Sequence, residues 1–156
     1  MFQVKIKSNA FNIINRAKEL LLRDIEIRIT RAFQKSAKEA VNWAKINHTY
    51  TQRTGALNSS TGFQLYKDGS LIDSYFETSL GNAEGMTKGA EAASKRAAEL
   101  SGNRICVIVV AGMSYAVYVE SKGFDVLTSA EQQFPNLLKT NLDILFSGTG
   151  ISTDIE

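Results

Sequence analysis

His48 and Cys106 are the only imidazole and the only thiol in the 156-residue chain, and neither stands in a pattern that nucleophilic or metal chemistry requires. His48 is followed by Thr49 and Tyr50, with no glycine elbow around a serine and no paired cysteine, so it reads as a capping or surface residue. Cys106 lies inside the apolar run 105–111 and reads as a small buried hydrophobe. A lone thiol excludes an intrachain disulfide framework and a multi-thiolate zinc site. The stretch Gly81-Asn82-Ala83-Glu84-Gly85-Met86-Thr87-Lys88-Gly89 invites a phosphate-cradle reading. Its spacing is wrong: a P-loop has four residues between its glycines and then Gly-Lys-Ser/Thr, whereas here three residues separate the glycines and Lys88 precedes Gly89. It reads as a mobile loop. Glu77 with Glu84, and Glu120 with Asp125, are loosely spaced carboxylates in loop-like sequence and read as solvated. The expectation is therefore a chain without a catalytic centre, cofactor or metal.

Basic residues offer a second kind of chemistry, the neutralisation of phosphates. Residues 1–54 hold 11 Lys and Arg against 4 Asp and Glu, and residues 55–156 hold 7 against 12, so the net charge of +2 divides into +7 and −5. Arg23, Arg28, Arg31, Lys35 and Lys38 are the candidates for contact with DNA or with another subunit. Glu19, Asp24, Glu26 and Glu39 interrupt the series, and Arg23/Glu19 and Lys35/Glu39 have the spacing of intrahelical ion pairs. A dipolar chain of this kind suits head-to-tail stacking on copies of itself, the basic helix of one copy on the acidic sheet side of the next. The alternative reading is a small cytoplasmic nucleic-acid-binding protein that uses the basic helix.

The elements that must position these residues follow from the placement of breakers. All 11 glycines and the single proline lie after residue 54. A helix capped at Asn9 or Asn12 is expected to run over 9–46, with Ile14, Leu21, Ile25, Ala32, Ala40 and Ala44 on one face. Ile25, Ile27 and Ile29 alternate with Glu26 and Arg28, a pattern that competes locally with the helix. Roughly thirty-five helical residues extend about 50 Å, longer than a compact domain of this size, so part of the helix must project or pack on another subunit. Asp68-Gly69 between β-prone runs predicts a hairpin over 61–77. A helix over 90–100, a central strand over 104–111 covered on both faces, a short amphipathic element over 115–121 and a helix over 127–146 with Pro135 in its first turns or at a restart follow. Residues 1–8 read as a short strand or ordered arm, and 147–156 as a flexible tail. The seven-residue run 105–111 is the longest apolar stretch, far short of the roughly 20 residues of a spanning helix, and no signal peptide is evident. The sum is one α+β domain over 1–146, a small antiparallel sheet packed by a long N-terminal and a C-terminal helix.

Two motifs stand at the junctions of these elements. In Arg53-Thr54-Gly55-Ala56-Leu57-Asn58-Ser59-Ser60, Gly55 permits a tight reversal between helix and sheet, while Thr54 and Ser60 are available to cap exposed amides. In Tyr115-Ala116-Val117-Tyr118-Val119-Glu120-Ser121-Lys122-Gly123, Tyr115 and Val119 lie four apart and Ala116 lets backbones approach, leaving Tyr118 and Glu120 as polar contacts.

This order of elements and motifs resembles the tail-component family of tailed bacteriophages, the minor capsid, neck or tail-completion proteins. That family's pattern has a long first helix, a Thr-Gly-x-Leu-x-x-Ser junction, a hairpin, a hydrophobic strand and Tyr-Ala-x-Tyr-Val-Glu-x-Gly before a C-terminal helix. Thr54, Gly55, Leu57 and Ser60 match the first motif; Tyr115, Ala116, Tyr118, Val119 and Glu120 match the second, whose glycine falls one residue late, at Gly123. The resemblance spans about residues 10–146. It implies a structural virion protein, assembled in the host cytoplasm, that forms a homo-oligomeric ring at the head-tail junction. Its partners are then copies of itself, the connector, and tail tube or tail terminator proteins, with DNA passing through the lumen without sequence-specific contact and no membrane involved.

Overall fold

The computed structural model describes residues 8–100 and 105–147. The expected arm or strand at 1–8 falls outside these residues except for Ser8, and so does the expected tail from 148 onward. The breaker-free N-terminal third forms one uninterrupted helix, α1 (Ser8–Asn47), of 40 residues and therefore about 60 Å. Asn9 and Asn12 lie within it rather than capping it, and the alternation at 25–29 does not break it. Isoleucines at every second position are compatible with a helix when the chain has neither glycine nor proline to leave it.

A five-residue helix, α2 (Ala56–Ser60), leads into β1 (Thr61–Lys67) and β2 (Ser70–Phe76). The hairpin turn is the one that Asp-Gly specifies, with positive φ at both Asp68 (49°) and Gly69 (79°). Next come α3 (Ala83–Glu99), β3 (Ile105–Ala111), the short α4 (Ala116–Ser121) and α5 (Thr128–Phe146). The fold is α+β: a three-stranded antiparallel sheet, a long N-terminal helix and a C-terminal helix.

Two further expectations are corrected. The strand order is β2-β1-β3, so β1 is the central strand and the 104–111 segment, observed as Ile105–Ala111, is an edge. β3 lacks hydrophobic alternation because helices cover both of its faces, α1 on one and α3 on the other; burial of two faces does not require pairing on two edges. The glycine-rich stretch is not a mobile loop: Asn82 accepts a hydrogen bond from the Gly85 amide at 2.8 Å and starts α3, which contains Gly85 and Gly89. Pro135 is the eighth residue of the last helix, at the end of its second turn and on the exposed side, and the helix does not restart there.

The sheet is the middle of three layers. Phe63 and Leu65 of β1 face α1 and α5 and meet Ala37 and Val41, with Phe33, Val107, Val109 and Phe134 packed around them. Gln64, between them in sequence, points to α3, where its amide donates to Ala90 O at 3.4 Å and its carbonyl accepts from Tyr66 Oη at 2.7 Å and Ser94 Oγ at 3.1 Å. Along α1 the residues buried against sheet and α5 are small: Ala32, Ser36, Ala37, Ala40 and Ala44 beside the single valine Val41. Between α1 and α5, the buried Asn141 donates to Ser36 Oγ at 3.0 Å and to Glu39 Oε2 at 2.8 Å, a polar link that fixes the register of the two helices.

Candidate functional site

The two motifs converge. Gly55 precedes α2 with φ 72°, and a Cβ there would lie 2.1 Å from Ser79 O. Glycine is thus required both for the left-handed backbone and for the close approach. Thr54 Oγ1 accepts from the Ala56 amide at 3.4 Å, closing the turn. Ser59 Oγ accepts from the Ser79 amide at 2.6 Å and clips the segment after β2 onto α2. Ser60 ties α2 to the far end of β3, its hydroxyl donating to Leu57 O at 2.8 Å and accepting from the Met113 amide at 3.3 Å, while its carbonyl accepts from the Gly112 amide at 3.1 Å. Leu57 of the first motif and Ala116 of the second share one core cluster with Val126, and Tyr50, Met113 and Val119 pack against it.

The second motif divides into an inward and an outward half. Ala116 and Val119 join the core. Glu120 caps α5: its Oε1 accepts from the amides of Leu127 (3.2 Å) and Thr128 (2.9 Å) and from Thr128 Oγ1 (2.6 Å). Asp125 Oδ1 accepts from the Ser129 amide at 3.2 Å at the same helix end. The two carboxylates expected to be merely solvated therefore satisfy the orphan amides and complement the dipole of one helix. Burial by itself raises the Glu120 pKa, and these hydrogen bonds outweigh it and hold the carboxyl below its ordinary value. Outward stand Val117 (79% exposed) and Tyr118 (63%), with Lys122 Nζ 5.2 Å above the Tyr118 ring, and Phe124, two residues further along the chain, is exposed as well. Gly123 ends α4 with φ 85° and open space around it.

A groove of about 520 Å³ runs between the motifs, lined by Tyr50, Thr54, Leu57, Asn82, Tyr115 and Val119 among others. His48 is not among the lining residues but contacts two of them, Tyr50 and Gln52. Its Nδ1 lies 3.0 Å from Tyr50 O, a carbonyl that can only accept, so Nδ1 carries the proton and Nε2 accepts from Gln52 Nε2 at 2.9 Å. Gln52 Oε1 in turn accepts from Ser79 Oγ at 2.9 Å. Both ring nitrogens are thus engaged, and the ring stacks on Tyr50 at 4.3 Å. Burial pushes the Tyr50 phenol up, a hydrogen bond with Asn58 partly opposing it, so the groove presents a phenol and not a phenolate near neutral pH. Among the described residues no group of three His, Cys, Asp or Glu side chains could hold a metal ion. The arrangement suits recognition of another surface.

The basic residues singled out in the sequence are dispersed in role. Arg28 is structural, with Nε 2.8 Å from Asp24 Oδ2 and Nη1 donating to Leu145 O at 2.8 Å at the end of α5. Lys35 lies 3.8 Å from Glu39, and Lys38 stands 4.6 Å over the Tyr75 ring. Arg31, Lys35 and Lys38 line a recess of about 420 Å³, but Asp73 shares it and accepts from Gln34 Nε2 at 2.8 Å. Burial, then the hydrogen bond and charge of Glu77, push the Tyr75 phenol up to about 12. Arg23 lies farther out and forms no ion pair with Glu19 among the described contacts.

Sequence reasoning missed the largest exposed feature. Residues 10–24 of α1 are exposed without exception, and they include Phe11, Ile13, Ile14, Leu20, Leu21 and Leu22, each more than half exposed. The expected projection of the helix is there, about 20 Å of it, but its surface is apolar. It holds Arg16, Lys18 and Arg23 against Glu19 and Asp24, so the excess positive charge of the first third lies elsewhere. The signal was available in the Leu20-Leu21-Leu22 triplet: three consecutive leucines on a helix cannot all face one core. No family model, curated protein or solved structure matches this chain.

Proposed function

We propose that this chain is a structural virion protein that forms a homo-oligomeric ring at the head-tail junction of a tailed bacteriophage, joining connector to tail around the DNA channel, and that it is not an enzyme. The observation that carries the reading is the projecting arm of α1: a row of large apolar side chains held in water by a well-packed domain is a surface awaiting a partner. Two features support the neck assignment in particular. The Thr-Gly-x-Leu-x-x-Ser and Tyr-Ala-x-Tyr-Val-Glu segments that carry the family resemblance are side by side, and their inward residues lock one junction. Their outward residues Val117 and Tyr118 then offer a second docking surface, distant in sequence from the arm, suited to the connector or the tail. In this reading the protein works in the virion neck and assembles in the host cytoplasm.

The test is assembly. Purified full-length protein, followed by analytical ultracentrifugation and electron microscopy over rising concentration, and then with phage connectors, is expected to form rings that seat on the connector. A protein that stays monomeric alone and binds neither connector nor tail would overturn the reading.

A further inference from the structure

The arm is apolar on two sides. Phe11, Ile14, Leu21 and Ile25, with Lys18 among them, follow one another at alternating spacings of three and four and form one face. Ile13, Leu20 and Ile27, seven apart, form a second face about 140° around the helix. Ile14 is 65% exposed, Leu20 59% and Ile27 45%, so among the described residues nothing covers either face along the arm, and only Ile25, at its root, is half-buried. A single apolar seam serves a helix with one neighbour; two seams serve a helix with two.

We propose that the arms of adjacent subunits lie side by side and parallel, the Ile13/Leu20/Ile27 face of one against the Phe11/Ile14/Leu21/Ile25 face of the next, closing a barrel of helices that holds the ring together. This rests on the ring reading above and specifies its contact. Three observations select a second copy of the chain as the occupant. The two faces share the seven-residue repeat, and their matching residues (13 with 14, 20 with 21) differ in height by one position, about 1.5 Å along the axis. Copies related by rotation with almost no rise therefore bring Leu20 against Leu21, and absence of rise is the condition for closing a ring instead of a filament. Second, the arm's charges nearly balance, three basic against two acidic over 10–24, so like arms meet without strong repulsion. Third, the root of the arm is braced to the domain by Arg28 on Asp24 and Leu145 O and by Lys67 Nζ 2.9 Å from Glu26, which sets the arm's direction before assembly. The contact is apolar, and unlike the stacking of a basic helix on an acidic sheet it persists at high salt.

The experiment uses full-length protein with two double variants, Ile14→Lys with Leu21→Lys on the first face and Ile13→Lys with Leu20→Lys on the second. Sedimentation velocity at low and high salt gives assembly, and thermal unfolding checks that the domain is intact. Wild type is expected to assemble at both salts. Each variant alone is expected to be monomeric, its association weakened by a factor of about 100 or more, while a mixture of the two stops at a one-to-one dimer, since each retains the face the other lacks. In a Cys106→Ser background, Leu20→Cys with Leu21→Cys is expected to give an oxidised ladder of covalent oligomers. Rings formed by either double variant, a variant that dimerises by itself, loss of wild-type assembly at high salt, or no ladder would overturn the parallel two-faced contact and leave the ring reading standing. Wild type that is monomeric at every concentration and on connectors would overturn both.

Discussion

The two ends of α1 invert the usual relation between size and burial. From Ala32 to Ala44 the fully buried residues of α1 are small, with Val41 the largest and the half-buried Phe33 the one bulky side chain beside them, whereas over 10–24 the apolar residues are mostly large and all exposed. Small side chains let the C-terminal half lie close on Phe63, Leu65, Phe134 and Leu137, where contact is made by the partners' bulk. The N-terminal half carries its own bulk and meets nothing among the described residues that receives it. One continuous helix thus contains a finished interface and an unfinished one, and the change occurs between Asp24 and Ala32, where Arg28 and Glu26 hold it to the domain.

The largest effect that separates the two halves is on assembly. Ile14→Lys with Leu21→Lys is expected to weaken self-association about 100-fold while leaving the melting temperature unchanged; a drop of many degrees would mean that the arm packs on its own domain and would erase the contrast. In the finished half of the molecule the order reverses. Gly89→Val places a Cβ 2.5 Å from Ser60 O and from Phe76 Cε1, so stability should fall by about 3 kcal/mol despite the better helix propensity of the new residue. Urea unfolding reads this directly.

A smaller loss tests the polar link beneath α1. Asn141→Ala leaves Ser36 and Glu39 without their donor and is expected to cost about 2 kcal/mol, with assembly retained at concentrations where the domain is folded. Glu120→Gln removes the charge that caps α5 and should cost about 1 kcal/mol at neutral pH. Because the folded-state pKa of Glu120 lies below its ordinary 4.5, the wild-type advantage is present above that value and is lost as pH falls through the folded pKa. The two proteins should therefore converge in acid, and a difference that persists there would assign the effect to packing. Smallest of all is Arg31→Glu with Lys35→Glu, expected to leave assembly and DNA retention nearly unchanged, because Asp73 and Glu39 already offset these cations. A large salt-sensitive loss of DNA binding would instead support a nucleic-acid role for the helix.

Much of the architecture was legible because it is local. The missing breakers dictate α1, Asp68-Gly69 dictates its turn, and Gly55 marks the reversal into the sheet. Local pattern failed where a glycine served packing. Gly85, Gly89 and Ala93 sit four apart and are buried on one face of α3, where α2 and the end of β3 approach so closely that a Cβ on Gly85 would lie 2.4 Å from Ala56 O and one on Gly112 would lie 2.5 Å from the Gly89 Cα. Read singly these glycines suggest mobility; read at the helical period they form a flat face.

The sequence alone determined that α1 is one helix too long for its domain, and that the two junction motifs contain a turn and a small-residue contact, since these depend on backbone preferences of neighbouring residues. Only the tertiary structure decided that β1 and not β3 is central, that Glu120 and Asp125 cap a helix, and which apolar residues of α1 find a partner. Whether a leucine is core or surface depends on what lies opposite it, and for the arm nothing among the described residues does.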